Sequence, residues 1–594
     1  MQNRVVLQPR PYRHAAAISA ASFFALLLAG SSAFAQTGSA GPATSCPGDN
    51  GGITLPSGFC ATVFADNLGH VRHMVVAPNG TLYVNTWSGR YYHNAPPPPG
   101  GFLIALKDDK GGGKADVIRR FGPDVAHGSA GGTGIGYYKD AIYAEQNDKI
   151  VRYALLADAP LPTEPAQIVV SGLPLTGDHP MHPFIIDAQG HLYVDLGSAT
   201  NSCQIENRMP NSLGHQPCTE LQTRAGTWRY DANKTDQHFS TAERYVTGLR
   251  NGEGFAFDSS GRLFATQHGR DQLAQNFPKL YTSQQSAQQP AEELVIEHNG
   301  ADFGWPECYY DRFQKKLVLA PEYGGDGGKA VGVCAQKTAP VAAFPAHWAP
   351  NDLLIYGGTA FPTTYQGGAF VAFHGSWNRA PEPQGGYNVV FQPLKDATAA
   401  GDFVVFADGF AGAIKQPGQA AFRPTGLAQG PDGALYISDD VRGRIWRVTY
   451  HGPAGAPAAS APAPKTVASN AEPGPPEGTN PNADVNTLPV PPGATKQELA
   501  LGQRIYLGEA AGGTCSGCHG SDARGGPQAP SLVSGHYFVG DGSFQSIKQV
   551  VADGVPRPRD YEAPMPPKGG APLTDSDVTA VAAYVWAIGQ AAHH

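Results

Sequence analysis

Charge is scarce in this chain: Asp, Glu, Lys and Arg together make up 15% of its 594 residues. The 50 acidic residues outnumber the 42 basic ones and no dense Lys/Arg run occurs, so the chain lacks the positive surface that a phosphate backbone needs and nucleic acid is not expected as a partner. After the amino-terminal stretch no segment is long and apolar enough to span a bilayer, so the mature chain is expected to carry no membrane span. Several familiar signatures are also missing. Gly132-Thr133-Gly134-Ile135-Gly136 has the wrong glycine spacing for dinucleotide binding and no βαβ unit around it. Gly375-Ser376-Trp377 lacks the second glycine of a nucleophile elbow. Asp108-Asp109-Lys110-Gly111 lacks the alternating oxygen ligands of a calcium loop.

The chain is rich in glycine and proline instead, with 74 and 52 residues, which fits a turn-rich β protein. Its length exceeds the roughly 250 to 300 residues at which a single core stops growing, so two or more domains are expected. At the amino terminus Arg4, Arg10 and Arg13 precede an apolar stretch from Ala15 to Leu28 and then Ala33-Phe34-Ala35. This is the pattern of an export signal, with cleavage expected after Ala35 and the periplasm as destination. An oxidising compartment permits disulfides among Cys46, Cys60, Cys203, Cys218, Cys308 and Cys334. Nearness in sequence suggests pairing in that order, among the fifteen pairings that six cysteines allow.

A short pattern recurs through the first three quarters of the chain: a turn with Gly, Asn or Asp, then alternating apolar residues ending in an aromatic and a small aliphatic. It appears at Pro78-Asn79-Gly80-Thr81-Leu82-Tyr83-Val84, Gln189-Gly190-His191-Leu192-Tyr193-Val194, Ser260-Gly261-Arg262-Leu263-Phe264-Ala265 and Pro431-Asp432-Gly433-Ala434-Leu435-Tyr436-Ile437, with weaker copies at 139–144 and 367–372. Radial repetition of this unit predicts an all-β propeller of about six blades. Residues 452–492, rich in Ala and Pro with almost nothing large to bury, read as a linker. The expected order is therefore a signal peptide over 1–35, a six-bladed β-propeller over 36–451, the linker, and a small all-α cytochrome c domain over 493–594.

That last domain is announced by Cys515-Ser516-Gly517-Cys518-His519. In a C-x-x-C-H motif two thiols form thioethers with one haem and the adjoining histidine supplies an axial nitrogen. Helices are expected over about 496–510 and 575–591, the first packing through Leu499, Ile505 and Tyr506, the second opened by a Thr574/Asp577 capping box. The arrangement resembles class I cytochromes c, whose sixth ligand is a methionine before the last helix. Met565 holds that place, with His536, His593 and His594 as rivals. A His/Met pair raises the haem potential relative to bis-His and makes it an acceptor of electrons.

In the propeller the densest polar sequence runs from Leu249-Arg250-Asn251-Gly252-Glu253-Gly254 through Gln267-His268-Gly269-Arg270-Asp271 to Asn299–Glu307, which contains Gly304-Trp305-Pro306. From about Gly58 to Tyr450 the chain resembles the soluble quinoprotein sugar dehydrogenases, the aldose and sorbosone dehydrogenase family, which uses pyrroloquinoline quinone (PQQ) and calcium. The resemblance implies that Arg250 and Asn251 contact the quinone, that the backbone carbonyls of Gly269 and Arg270 hold Ca2+, and that His179 in Gly177-Asp178-His179-Pro180 is the catalytic base. Arg379 and Arg423 resemble the basic residues that close over the cofactor. Two departures stand out. His268 replaces a cofactor-side Gln, and Ser198 replaces an acidic residue near the base, leaving Asp178 or Asp195 as substitute carboxylates and His182 as a second candidate base. The expected function is a periplasmic quinohaemoprotein that oxidises a sugar or sugar-derived aldehyde and passes electrons to its own haem and on to a respiratory acceptor. A calcium-dependent lactone hydrolase and a non-enzymatic binding propeller are the alternatives.

Overall fold

The computed structural model describes residues 46, 48–86, 98–124, 132–156, 160–379, 382–413, 415, 420–463, 484–520, 522–525, 529–559, 561 and 564–591. The export signal, His593, His594, residues 95–97 of the proline stretch and residues 464–483 of the linker lie outside them.

The recurring turn owes its regularity to glycine: Gly80, Gly190, Gly261 and Gly433 all take φ between 78° and 93°, a left-handed conformation that costs a residue with a Cβ. Each turn launches a strand packed on both faces. Leu82, Tyr83 and Val84 are all buried, for example, which is why these strands read as apolar runs rather than as alternating ones. Of the eight sheets among the described residues, six follow one another in chain order as larger, mainly antiparallel units. The first holds Met74–Val76, Leu82–Asn85, Leu103–Lys107 and Val117–Phe121; the second holds Ile135–Tyr137, Ala141–Gln146, Lys149–Ala154 and Gln167–Ser171, with Gln237–His238 added parallel to the last. Phe184–Ile186, His191–Leu196 and Gly226–Asp231 make the third, and Phe255–Phe257, Leu263–Gln267, Glu292–Glu297 and Ala342–Phe344 the fourth. Pro350–Ile355, Ala369–Phe373, Asn388–Gln392 and Val404–Ala407 make the fifth, and Pro424–Gln429, Leu435–Asp439 and Ile445–Tyr450 the sixth. The amino-terminal strand Phe59–Ala65 completes that sixth sheet, pairing antiparallel to Ile445–Tyr450 with Phe59 opposite Tyr450, and so closes a six-bladed propeller.

The closure is packed with aromatics. Phe59 meets Phe361, Tyr365 and Phe406 edge-on at centroid distances of 4.9, 5.3 and 4.9 Å, contacts worth about 0.5–1.5 kcal/mol each beyond area burial. Three disulfides form as nearness in sequence suggested: Cys46–Cys60, Cys203–Cys218 and Cys308–Cys334. The start of the linker lies on the propeller, where the Ala459 N–H donates to the Tyr365 hydroxyl at 3.1 Å and the Ala461 N–H to the Val405 carbonyl at 2.7 Å.

In the haem domain, Lys496–Tyr506 begins with a Thr495/Glu498 capping box and Asp575–Ala591 with the Thr574/Asp577 exchange at 2.9 and 3.2 Å. The first helix ends at Tyr506 rather than near Ala510, because Gly508 turns left-handed at φ 85°. The two helices cross at Gly502, where a Cβ would lie 2.0 Å from the Ala580 carbonyl oxygen. Leu499, Ile505 and Tyr506 are fully buried. Between these helices lie the haem-motif helix Cys515–His519 and Phe544–Asp553. Among the described residues no helix is long and apolar enough to cross a membrane.

Candidate active site and haem pocket

His179 stands in the loop between the strands Gln167–Ser171 and Phe184–Ile186. Its Nδ1 lies 2.8 Å from the Ser198 carbonyl and 3.0 Å from Ser198 Oγ, whose own proton goes to the Thr200 carbonyl at 2.7 Å. A carbonyl can only accept, so the proton sits on Nδ1 and Nε2 keeps its lone pair. Burial, followed by the charge of Arg250, holds the imidazole well below its usual range, so the ring is neutral at pH 7. The backbone of Ser198 thus orients the ring in place of a carboxylate. Neither candidate substitute does so. Asp178 pairs with Arg208 at 2.7 Å, and Asp195 faces Gly252, where a Cβ would come within 2.9 Å of its Oδ1. His182 is buried, with Nε2 donating to the Pro174 carbonyl at 2.9 Å and Nδ1 3.1 Å from Glu145 Oε1.

Gly197 brings His179 and the Arg250-Asn251 pair together: a Cβ there would lie 2.6 Å from His179 Cβ and 2.7 Å from Asn251 Oδ1. The buried Arg250 guanidinium donates from Nε to the Asn201 carbonyl, from Nη1 to the Gly269 carbonyl and from Nη2 to Asn201 Oδ1, all at 3.0 Å, and reaches Asp271 Oδ2 at 3.1 Å. Asp271 Oδ2 is shared with Arg208 Nη2 at 3.2 Å. Burial disfavours the ionised Asp271, but Arg250, His347 and Arg208 prevail and hold it well below the usual carboxylate range. The result is a quartet of alternating charge, Asp178, Arg208, Asp271 and Arg250, in which only Asp271 is partly exposed. The His268 N–H donates to the Asn251 carbonyl at 3.0 Å, and its Nε2 donates to the Pro350 carbonyl at 3.1 Å.

A second cluster adjoins the first. Arg72 pairs with Asp440 at 2.9 Å and with Glu253 at 3.0 Å, His374 Nε2 lies 2.8 Å from Asp440 Oδ1, and Asn251 Nδ2 reaches Glu253 Oε1 at 3.3 Å. Arg423 joins it, donating to the His374 and Gly375 carbonyls at 3.0 and 2.9 Å. The structure therefore groups His179, Arg250, Asn251, His268 and Gly269, with Arg423 adjoining through the second cluster. Arg379 is engaged elsewhere, with the Ala346 and Pro383 carbonyls at 2.8 and 3.1 Å. The Arg270 side chain is turned toward Glu322 and Asn276.

The two expected propeller cofactors fare differently. Among the described residues no hydrogen bond occupies His179 Nε2, the second proton of Arg250 Nη1 or Arg423 Nη1, and such donors and bases fit an anionic quinone. Calcium does not fit this arrangement. The Gly269 carbonyl expected to face it accepts from the Arg250 guanidinium at 3.0 Å, a fixed positive charge beside the place a cation would take.

In the haem domain a cavity of about 470 Å³ is lined by Cys515, Cys518, His519 and Met565 together with the propeller residues Arg208 and Trp377. Both cysteines are unbridged, and His519 Nδ1 donates to the Pro530 carbonyl at 2.9 Å, leaving Nε2 for a metal. This donor set fits a covalently attached haem. Met565 is half-buried and pinned by reciprocal backbone bonds with Val555 at 2.7 and 3.0 Å, whereas His536 lines the same cavity but is exposed. Sequence reasoning did not single out Arg208, Asp271, Arg72, Glu253 or Trp377. Asp271 directly follows the quoted Gly269-Arg270 pair, while Arg208 lies in a disulfide loop without a pattern.

A profile described as TrAA12-like matches residues 53–451. The chain belongs to this TrAA12-like family. A cytochrome c profile matches residues 499–589 of this family member, so a cytochrome c domain follows the propeller. A pyrroloquinoline quinone-dependent pyranose dehydrogenase of Coprinopsis cinerea is 28% identical over 236 residues, covering 34% of this chain and 30% of that protein. The cbb3-type cytochrome c oxidase subunit CcoP of Rubrivivax gelatinosus is 33% identical over 98 residues, 16% of this chain and 28% of that protein. The chain thus spans less than half the length of these curated relatives. Among solved structures, a Trichoderma reesei carbohydrate-active enzyme of family AA12 superposes with a TM-score of 0.53 at 18% identity, covering 67% of this chain and 98% of that chain. The PQQ domain of the C. cinerea pyranose dehydrogenase does so with 0.52 at 19%, covering 67% and 97%. At these identities the likeness establishes the shared fold.

Proposed function

We propose that this TrAA12-like protein is a periplasmic quinohaemoprotein that oxidises a sugar or sugar-derived aldehyde, of the aldose or sorbosone kind, with PQQ, and passes the electrons to its own haem c and then to a respiratory acceptor. The observation that carries this reading is a neutral histidine, anchored at Nδ1 with Nε2 open, set beside Arg250 in the same chain as a haem pocket. The dehydrogenase activity of the C. cinerea relative supports it.

PQQ bound at the propeller site supplies a two-electron acceptor for the hydrogen leaving the substrate carbon. His179 Nε2 takes the hydroxyl proton of an alcohol or lactol, and the Ser198 carbonyl favours the imidazolium that results. Arg250, through its remaining Nη1 proton, and Arg423 bind anionic oxygens and stabilise developing negative charge, while Asn251 and His268 shape the cofactor side. No step is routed through calcium. In the haem domain Cys515 and Cys518 hold the porphyrin, and His519 and Met565 ligate its iron. The propeller is taken as 36–451, the linker as 452–492 and the cytochrome as 493–594.

The test is full-length, haem-loaded protein given PQQ, with and without calcium, and a panel of aldoses, sorbosone and polyols. The haem bands are expected to shift to the reduced form with at least one sugar. No reduction by any member of the panel overturns the reading, and lactone hydrolysis without PQQ would replace it.

A further inference from the structure

Arg208 is a buried arginine with a left-handed backbone, φ 61°, a conformation that persists only where the surroundings enforce it. Here they do. Its N–H donates to Gln204 Oε1 at 2.8 Å and its carbonyl accepts from Asn276 Nδ2 at 2.9 Å. It rides on the loop closed by Cys203–Cys218, and the same loop carries Glu206, which pairs with Arg557 of the haem domain at 2.8 Å. The loop is therefore a docking element as well as a carrier.

The guanidinium faces two ways. Toward the propeller it holds Asp178, the residue before His179, at 2.7 Å and Asp271, the partner of Arg250, at 3.2 Å. Toward the haem domain it lines the cavity with Cys515, Cys518 and His519. Trp377 walls the same junction, its ring so close to Gly517 between the two haem cysteines that a Cβ there would meet it at 2.9 Å. Arg208 is only 6% exposed, so its charge is screened less by solvent than a surface charge would be.

We propose that Arg208 is an electrostatic bridge between the two redox sites: one guanidinium that raises the potential of the haem while clamping the carboxylates beside His179 and Arg250. Its purpose rests on the quinone-to-haem reading, but the bridge itself concerns only this chain and its haem. Reduction adds an electron to the haem. A nearby cation favours that state and a nearby carboxylate opposes it.

The test uses full-length, haem-loaded protein with neither PQQ nor sugar, and reads the haem midpoint potential by spectroelectrochemistry. Arg208→Gln is expected to shift the midpoint downward, and Asp178→Asn, an isosteric change that removes one opposing charge, to shift it upward, with haem content and band positions retained in both. Opposite signs are what a purely structural role would not produce. Midpoints equal to wild type, or shifts of one sign in both variants, overturn the proposal. Should Arg208→Gln fail to accumulate, Asp178→Asn decides alone: a rise supports the bridge, and no rise overturns it. If sugars fail to reduce the wild-type haem, the dehydrogenase reading falls while these potentials still judge Arg208.

Discussion

Gly197→Ala puts the geometry of the propeller site to its most direct test. Gly197 does not occupy a left-handed conformation, so alanine is tolerated by the backbone there and only space decides the outcome. The added methyl would sit 2.6 Å from His179 Cβ and 2.7 Å from Asn251 Oδ1, well inside the 3.4 Å of ordinary contact. Relief requires His179, Asn251 or both to move by roughly 1 Å, a displacement that can cost a positioned catalytic group about 100-fold in rate. Overpacking of this kind also costs about 1–3 kcal/mol of stability, so some lowering of the melting temperature is expected alongside. The assay is stopped-flow haem reduction by a sugar that reduces the wild type, at saturating PQQ, with thermal unfolding followed in parallel. The expected result is a rate loss of about two orders of magnitude in a folded, fully haem-loaded protein. A rate within twofold of wild type would show that His179 and Asn251 are not held against one another at the reacting centre.

Three further outcomes follow from the same geometry. His179→Ala should lower sugar-driven haem reduction by about 100- to 10,000-fold while leaving haem content intact; unchanged turnover would remove it as the base. Met565→Ala should alter the haem absorption spectrum and potential, whereas His536→Ala should leave both unchanged; the reverse pattern would make the exposed histidine the ligand. Burial pushes the Glu297 carboxyl up to about 8 against an ordinary 4.5, with Thr227 Oγ1 donating to it at 2.8 Å. The folded state therefore keeps a proton that the unfolded chain loses, and this contribution is complete below pH 4.5 and is lost as pH rises from 4.5 through about 8. The slope is at most about 1.4 kcal/mol per pH unit for this group. Glu297→Gln should flatten the fall in melting temperature across that window, and an unchanged slope would refute a neutral Glu297.

What was readable in the sequence was what local chemistry dictates. The blade turns needed glycine at one left-handed position and the strands after them had to be apolar on both faces, so both signals recur in order. The haem motif and the Thr574/Asp577 cap are equally local. The resemblance to quinoprotein dehydrogenases led to His179, Arg250 and Asn251, which do converge. The partners of these residues were hidden because they come from far along the chain. Arg72 reaches Asp440 from the opposite end of the propeller sequence, and Arg208 reaches Asp271 from a loop with no periodicity. The Ser198 carbonyl that orients His179 is a backbone atom, and no side-chain pattern encodes it. Calcium was expected at the Gly269 carbonyl, and only three-dimensional placement reveals that the Arg250 guanidinium donates to it.

The pairing of Phe59–Ala65 with Ile445–Tyr450 also sets a clock on biosynthesis. The first strand to be made is among the last to find its partner, so the propeller remains an open arc with unpaired strand edges until residue 450 has emerged. At about 5–20 residues per second the synthesis of that span takes roughly 20 to 80 seconds, and the ring has no means of closing before it is complete. The haem-binding sequence is made only after the ring is able to shut, so a chain that stops short of it still contains every blade.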